Sequence, residues 1–170
     1  MTPQIEELLG RVVRALQREI NSGQCPAMVA VEGDRPLVLS DFDYQRDEAA
    51  AEGFERRAAA KAREAHATRW VLAVPQVWLI ASNVVSVRAV SNLPLRAGES
   101  EAITWMAVDL SKGVDYGRIP FTRNTRGTPE FGDIEVIAIK ASPAPGMPGY
   151  TMLRLTTSNE PTPGDSSDSA

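Results

Sequence analysis

The chain has few of the side chains that most enzyme mechanisms use. It contains a single histidine, His66, and a single cysteine, Cys25. Proton shuttles, activated nucleophiles and metal sites are built from a small set of residue types in which these two are prominent. The sequence also shows no run of spaced metal ligands, no glycine-rich phosphate loop and no Gly-x-Ser-x-Gly elbow. We therefore assign no catalytic residue and no cofactor.

The densest acidic cluster is the place where metal chemistry would be expected. Asp41 and Asp43 stand two residues apart after a predicted strand, and Asp47, Glu48 and Glu52 follow. Carboxylate oxygens suit Mg²⁺ and Ca²⁺, but the pattern does not continue as a calcium-binding loop. We expect a solvated loop and helix capping here. The alternative is a carboxylate- or divalent-metal-dependent enzyme that uses Asp41, Asp43 and Glu48.

A second group of residues has the types that bind single-stranded nucleic acid. Arg118, Phe121, Arg123 and Arg126 combine positive charge with a ring on which a base can stack. The chain from residue 157 onwards holds three of the 22 acidic residues and no Lys or Arg, so the remainder is close to neutral. The remainder of the chain therefore has no strong positive electrostatic field that would attract nucleic acid. The pattern favours a solvated strand face, with weak single-strand binding as an alternative.

The remaining features indicate a binding module. Two Pro- and Gly-rich loops, 124–132 and 142–149, are of the kind that carries recognition. Trp78 is a candidate binding residue, because exposed tryptophans contribute much of the energy of many interfaces. We expect a non-catalytic module that binds a protein partner of unknown identity. Pairing of sheet edges in a homodimer is also compatible with the sequence.

Two helices and a hairpin should precede the sheet. Apolar residues from Ile5 to Ile20 recur every three or four positions, which predicts an N-terminal amphipathic helix. A short β-hairpin is predicted over 27–32 and 36–40, with Gly33-Asp34 at its turn. An Ala-rich second helix is predicted from about Asp47 to Ala67, capped by Asp43 or Asp47.

Everything after Arg69 is predicted as β structure, with Pro75 interrupting its first strand. The expected strands are 70–74, 77–81, 84–90, 102–109, 118–122, 134–141 and 150–155. The alternation in 84–90 suggests one face in water. Because no helices separate these strands, the sheet should be largely antiparallel and the fold class α+β. We expect a single domain over 1–156, and a disordered acidic tail over 157–170 that has no apolar anchor.

The sequence also indicates the cellular compartment of the protein. Cys25 has no second cysteine to pair with, which fits a reducing environment. The N-terminus lacks a basic region followed by an apolar run, and the apolar stretches are too short to span a bilayer. We expect a cytoplasmic protein that does not enter membranes.

The order of features from Asp43 through Lys112 resembles a group of small uncharacterised bacterial and phage-borne proteins. The pieces that carry the resemblance are 47–51 (Asp-Glu-Ala-Ala-Ala), 74–78 (Val-Pro-Gln-Val-Trp) and 99–102 (Glu-Ser-Glu-Ala). That group has an acidic residue and an alanine where this chain has Gln76 and Val77. The resemblance covers under half of the chain and implies an α+β fold but no activity.

Overall fold

The computed structural model describes residues 1–137 and 143–158, and the α+β class is confirmed. Within these residues there are three helices and eight strands. In chain order they are α1 (Pro3–Asn21), β1 (Ala27–Glu32), β2 (Leu37–Asp41), α2 (Glu48–Glu64), β3 (Arg69–Ala81), β4 (Val84–Ala89), β5 (Glu99–Asp109), β6 (Gly113–Arg123), β7 (Pro129–Phe131), β8 (Glu135–Val136) and α3 (Tyr150–Thr157).

All the strands join one antiparallel sheet, as the run of strands without intervening helices predicted. The main order is β2-β1-β3-β5-β6-β7, with β4 paired to β3 and β8 paired to β6. Of the predicted strand over 134–141, the described residues 134–137 contain β8, and residues 138–142 lie outside the described residues. The predicted tail lies outside them from residue 159, while Thr157 still belongs to α3.

The predicted interruption at Pro75 is wrong, because β3 runs through it as one strand of 13 residues. On one edge, residues 69–73 of β3 pair with β1 and residues 76–81 pair with β4, so Val74 and Pro75 fall at the break between these partners. Proline has no backbone N–H to donate to a strand ladder. At the break neither β1 nor β4 pairs with residue 75, so no N–H is required there. The Gln45 amide bridges it by donating to the Cys25 carbonyl at 3.1 Å and accepting from the Val90 N–H at 2.8 Å.

Helix α1 covers one face of the sheet, which we call the α1 face. Its seven apolar residues are all buried, and the Thr2 side chain caps the helix by accepting from the Ile5 N–H. They pack against inward residues of four strands, among them Val71, Ile103 and Trp105. The spacing of three and four predicted this helix correctly because burial follows the helical period.

Helices α2 and α3 cover the opposite face, which we call the α2 face. Helix α2 is capped by Asp47, whose carboxylate accepts from the Ala50 N–H at 2.7 Å. Its small side chains Ala58, Ala59 and Ala62 are buried in the same core as Trp70 and Leu72. The alanines therefore favour the helix through their high propensity, and their small side chains let the helix lie close to the wide Trp70 ring.

The predicted strand over 150–155 is wrong, because these residues form helix α3. Tyr150 and Thr151 favour a strand and Gly149 offers no capping side chain, whereas the four residues that follow, 152–155, are good helix formers. A distant residue supplies what is missing: the Glu55 carboxylate accepts from the Gly149 N–H at 2.9 Å and from the Met152 N–H at 3.0 Å. Met152 is fully buried against the α2 face.

Glu55 thus joins three segments of the chain. It lies on α2, is 4 % exposed, and also accepts a 2.7 Å hydrogen bond from the Tyr44 hydroxyl in the loop before that helix. Burial and the neighbouring Glu55 carboxylate both raise the pKa of Tyr44, so the phenol stays protonated and donates. A buried carboxylate without such donors would strongly destabilise the fold.

We expect Glu55→Ala to lower the free energy of unfolding by about 3 kcal/mol, because it removes three charge-assisted hydrogen bonds and uncaps α3. Urea denaturation would measure the change. The matched control is Glu52→Ala on the same helix, where an exposed ion pair with Arg56 is lost and about 0.5 kcal/mol is expected. Equal effects of the two substitutions would contradict a capping role for Glu55.

Candidate binding surface

Exposed apolar side chains concentrate on the β3–β4 hairpin and the loop that follows it. Twelve large hydrophobic residues are exposed in the described part of the chain, and half of them lie between residues 80 and 95. These six, which we call the hairpin surface, are Ile80, Val84, Val85, Val87, Leu93 and Leu95. Single exposed hydrophobic residues are ordinary, but a contiguous group of them marks an interaction site.

The hairpin is held by a tight two-residue turn. Ser82 and Asn83 both have positive φ, 44° and 70°, which is the conformation of a type I′ turn. Ala81 and Val84 flank the turn as a register pair. In such a turn the carbonyl of the first residue accepts from the N–H of the fourth, here Ala81 and Val84.

The turn decides which backbone groups of β4 are free. In an antiparallel pair, hydrogen-bonded and non-hydrogen-bonded residue pairs alternate along the ladder. If Val84 bonds to β3, then Ser86 and Arg88 also bond to β3, whereas Val85, Val87 and Ala89 direct their N–H and C=O groups outward. Of these groups, the Ala89 carbonyl accepts a hydrogen bond from Arg88 Nη1 at 3.2 Å. Among the described residues β4 pairs only with β3, so this row of groups forms an open strand edge.

The edge lacks the usual protection against strand pairing. Natural sheets blunt their edges with lysine, proline, bulges or inward-pointing charges. Strand β4 contains no lysine, proline or bulge, and its one charged residue is Arg88; three of its six residues are exposed valines. The predicted pattern of one buried face is therefore wrong, since both faces of β4 are open to solvent. In the sequence, the adjacent valines Val84 and Val85, which follow a polar Ser-Asn turn, indicated that apolar side chains stand on both faces of this strand.

The only charged side chain of β4 is neutralised. Arg88 binds Glu99 in bidentate fashion, with Nε–Oε1 at 3.0 Å and Nη2–Oε2 at 2.8 Å. Glu99 also accepts from the Arg96 N–H at 2.8 Å. The hydrogen bond from Arg88 and that from the Arg96 backbone lower the pKa of Glu99 to about 2. This pair fastens the loop over 91–98 to the hairpin and leaves the edge without net charge.

Trp78 lies beneath the hairpin surface and not on it. It is 6 % exposed, and its indole N–H donates to the Thr104 hydroxyl at 2.9 Å. With Val85 and Val87 it lines a cavity of about 440 Å³ on the α2 face. The predicted binding residue is therefore a support for the two valines above it.

The predicted nucleic-acid residues are divided between the two faces of the sheet. Arg118 lies on the α2 face, 5.2 Å from the Trp78 ring centre, and binds Glu135 at 2.6 Å. Phe121 and Arg123 lie on the α1 face, where Arg123 binds Glu101 in bidentate fashion and covers the Phe121 ring.

Because side chains alternate along a strand, residues 118 and 121 point in opposite directions. Phe121 is 3 % exposed and cannot stack on a base. Arg126 is exposed in the turn between β6 and β7, where its N–H donates to the Asn124 side chain. The four residues do not form one surface.

The acidic cluster is engaged in local structure. The Asp41 carboxylate accepts from the Asp43 N–H at 2.7 Å and binds Arg57 at 2.8 Å. Within the described residues no group of three or more His, Cys, Asp or Glu side chains could hold a metal ion. Burial raises the pKa of the half-buried Cys25 thiol, which lowers its reactivity as a nucleophile.

Comparison with known proteins adds no further constraint. Searches of protein-family models, curated proteins and solved structures found no match to this chain. The resemblance noted from residues 47–51, 74–78 and 99–102 therefore stays a prediction. In the part of the chain that the structure describes, none of the helices has the length and apolar character needed to cross a membrane.

The Arg88–Glu99 pair should make the stability of the protein pH-dependent. The pKa of Glu99 falls from 4.5 to about 2 in the folded chain, so its contribution is complete above pH 4.5 and is lost as the pH falls towards 2. We expect the difference in free energy of unfolding between wild type and Glu99→Gln to shrink over that range. Urea denaturation at a series of pH values would measure it.

Arg88→Gln is the reciprocal control for this prediction, because it removes the other half of the same pair. It should lose part of the pH dependence that Glu99→Gln loses, because the Arg96 N–H still donates to Glu99 and keeps its pKa lowered. If the difference between wild type and Glu99→Gln stayed constant from neutral pH to about 2, the ion pair would not be the cause.

Proposed function

We propose that this protein is a non-catalytic binding module that takes an extended, apolar segment of a protein partner as an additional strand on the β4 edge. The observation that carries the proposal is the open, uncharged edge of β4, flanked by the exposed valines of the hairpin surface. In this mode backbone hydrogen bonds provide affinity, and alternate side chains provide specificity.

The chemistry of the edge defines the partner. Val85 and Val87 stand on the α2 face of β4, and Val84 and Ser86 stand on the α1 face. A bound strand would place its own side chains opposite these, so apolar β-branched residues on one side and small residues on the other are favoured. Because Arg88 is neutralised by Glu99, a charged partner strand gains nothing from the edge.

A rigid support makes the edge ready to bind. The tight turn at Ser82-Asn83 fixes the hairpin, and Trp78 packs under it. Little ordering is then required when a partner strand adds, which favours affinity. We also propose a cytoplasmic location, supported by the unpaired Cys25; recovery of the protein in another cell fraction would contradict it.

The test is selection from a displayed library of random peptides with and without Val87→Pro. Proline at this position removes an outward N–H while leaving the β3–β4 ladder intact, since edge strands tolerate proline whose N–H would face solvent. We expect wild type to enrich extended, uncharged, β-branched sequences and Val87→Pro to lose at least about tenfold in affinity, or about 1.4 kcal/mol. Unchanged thermal unfolding would verify that the variant folds.

Val87→Thr is the matched control, because threonine keeps both the N–H and the β-branched shape. It should retain binding within about threefold, on the scale of an exposed substitution. No enrichment by wild type, or equal enrichment by Val87→Pro, would refute strand addition at β4. Salt-sensitive binding of an oligothymidylate by wild type would instead support the nucleic-acid alternative.

A further inference from the structure

We infer that the strand received by the β4 edge is β4 of a second copy of this chain, in an antiparallel pair about a two-fold axis. This inference rests on the proposed function, because it names the partner for the same edge. It follows from the register, the charges and the position of the edge in the fold.

The alternation along β4 limits the registers that a two-fold pair can adopt. Only residues of like orientation can stand opposite each other, so the axis must pass through a residue and not between two. With the axis at Ser86, Val85 of each copy stands opposite Val87 of the other. The outward groups of these valines would then form hydrogen-bonded pairs, and Ser86 would face its own counterpart in a non-hydrogen-bonded pair.

This register is self-complementary in side chains. On the α2 face it brings four valines into one row, continuous with Ile80 of each copy. On the α1 face it sets the two Ser86 hydroxyls against each other and places Val84 beside the aliphatic stem of Arg88. The two arginines do not oppose one another, and each is already bound to its own Glu99, so no like-charge repulsion opposes the pair.

The register with the axis at Val87 gives less favourable side-chain contacts across the strand pair. It would set Val85 opposite Ala89 and Ser86 opposite Arg88, which breaks the valine row and covers less apolar surface. The axis at Ser86 is therefore the one that we infer.

The fold leaves room for the second copy. Strands β1 and β4 lie along the same edge of β3, with β1 beyond the C-terminal end of β4. An antiparallel partner runs the opposite way, so its own β1–β2 hairpin lies beyond the other end of the strand pair. The β1–β2 hairpins of the two copies would therefore lie at opposite ends of the strand pair.

A second copy also explains why the edge is unprotected. An open β-branched edge without charge is an aggregation hazard in a monomer. In a two-fold pair each β4 edge bonds to the other in one closed interface, so neither β4 edge stays open for a third chain to add. A foreign partner would leave the edge open whenever that partner was absent.

The test combines oligomeric state with a positional cross-link in the full chain. Sedimentation equilibrium over a wide concentration range should show a dimer of wild type. Val87→Pro and Val85→Lys should each shift it to monomer, with a dissociation constant at least about tenfold higher. The two variants act differently, by removing an N–H and by placing an unpaired charge, so the result does not depend on the folding of either alone.

The cross-link tests the register. In a Cys25→Ser background, Ser86→Cys should form an intermolecular disulfide on mild oxidation, because non-hydrogen-bonded antiparallel pairs bring Cα atoms to about 4.5 Å, within disulfide range. The matched control is Val84→Cys, on the same face of β4 and likewise exposed, whose counterpart lies four positions away along the ladder. It should not cross-link at a comparable rate.

Each outcome decides the inference. A dimer that loses affinity in both variants and cross-links at Ser86→Cys supports it, whereas equal cross-linking at the two positions overturns the register. A dimer unaffected by either variant places the interface elsewhere and overturns the inference. A wild-type monomer that still enriches β-branched peptides, in a way abolished by Val87→Pro, overturns the second copy while the proposed function stands. A monomer that binds no peptide overturns both.

Discussion

The buried carboxylate of Glu55 is the constraint on which one side of the fold depends. A carboxylate removed from water must have its acceptor capacity filled by donors. Here the donors come from the Tyr44 hydroxyl and from two backbone N–H groups at the start of α3, nearly a hundred residues further along the chain. Satisfying one charge therefore fixes the entry to α2 and the position of α3 together, and this determines which part of the α2 face is covered.

Strand β3 divides the molecule into a covered half and an open half. Its first residues pair with β1 and are buried between α1 on one face and α2 with α3 on the other. Its last residues pair with β4, where the hairpin extends beyond the helices and its valines remain exposed. Pro75 and the bridging amide of Gln45 lie where the two halves meet. The first half contributes to the two buried clusters, and the second half carries the exposed hairpin surface.

The arginines of the sheet are paired with carboxylates of the same chain. Arg88, Arg118 and Arg123 each bind a carboxylate on a neighbouring segment, Glu99, Glu135 and Glu101 respectively. Paired in this way, they hold loops and edges in place and leave little free charge for an external anion. A sheet whose arginines are internally satisfied presents its neutral backbone edge as the most available group for a partner.

The sequence by itself determined the features that depend on short-range periodicity. Helix α1, the first hairpin and the antiparallel class all follow from spacing, turn residues and the absence of crossover helices. For α2 the sequence left Asp43 and Asp47 as alternative caps, and the structure shows Asp47. The strand expected over 150–155 was wrong because the start of this helix is capped by Glu55, a distant residue that no local pattern reveals. The strand break expected at Pro75 was wrong because only the sheet order shows that no donor is required there. The candidate surface is likewise a tertiary result: alternation along β6 separated Arg118 from Phe121, and the reach of the helices decided that β4 stays uncovered.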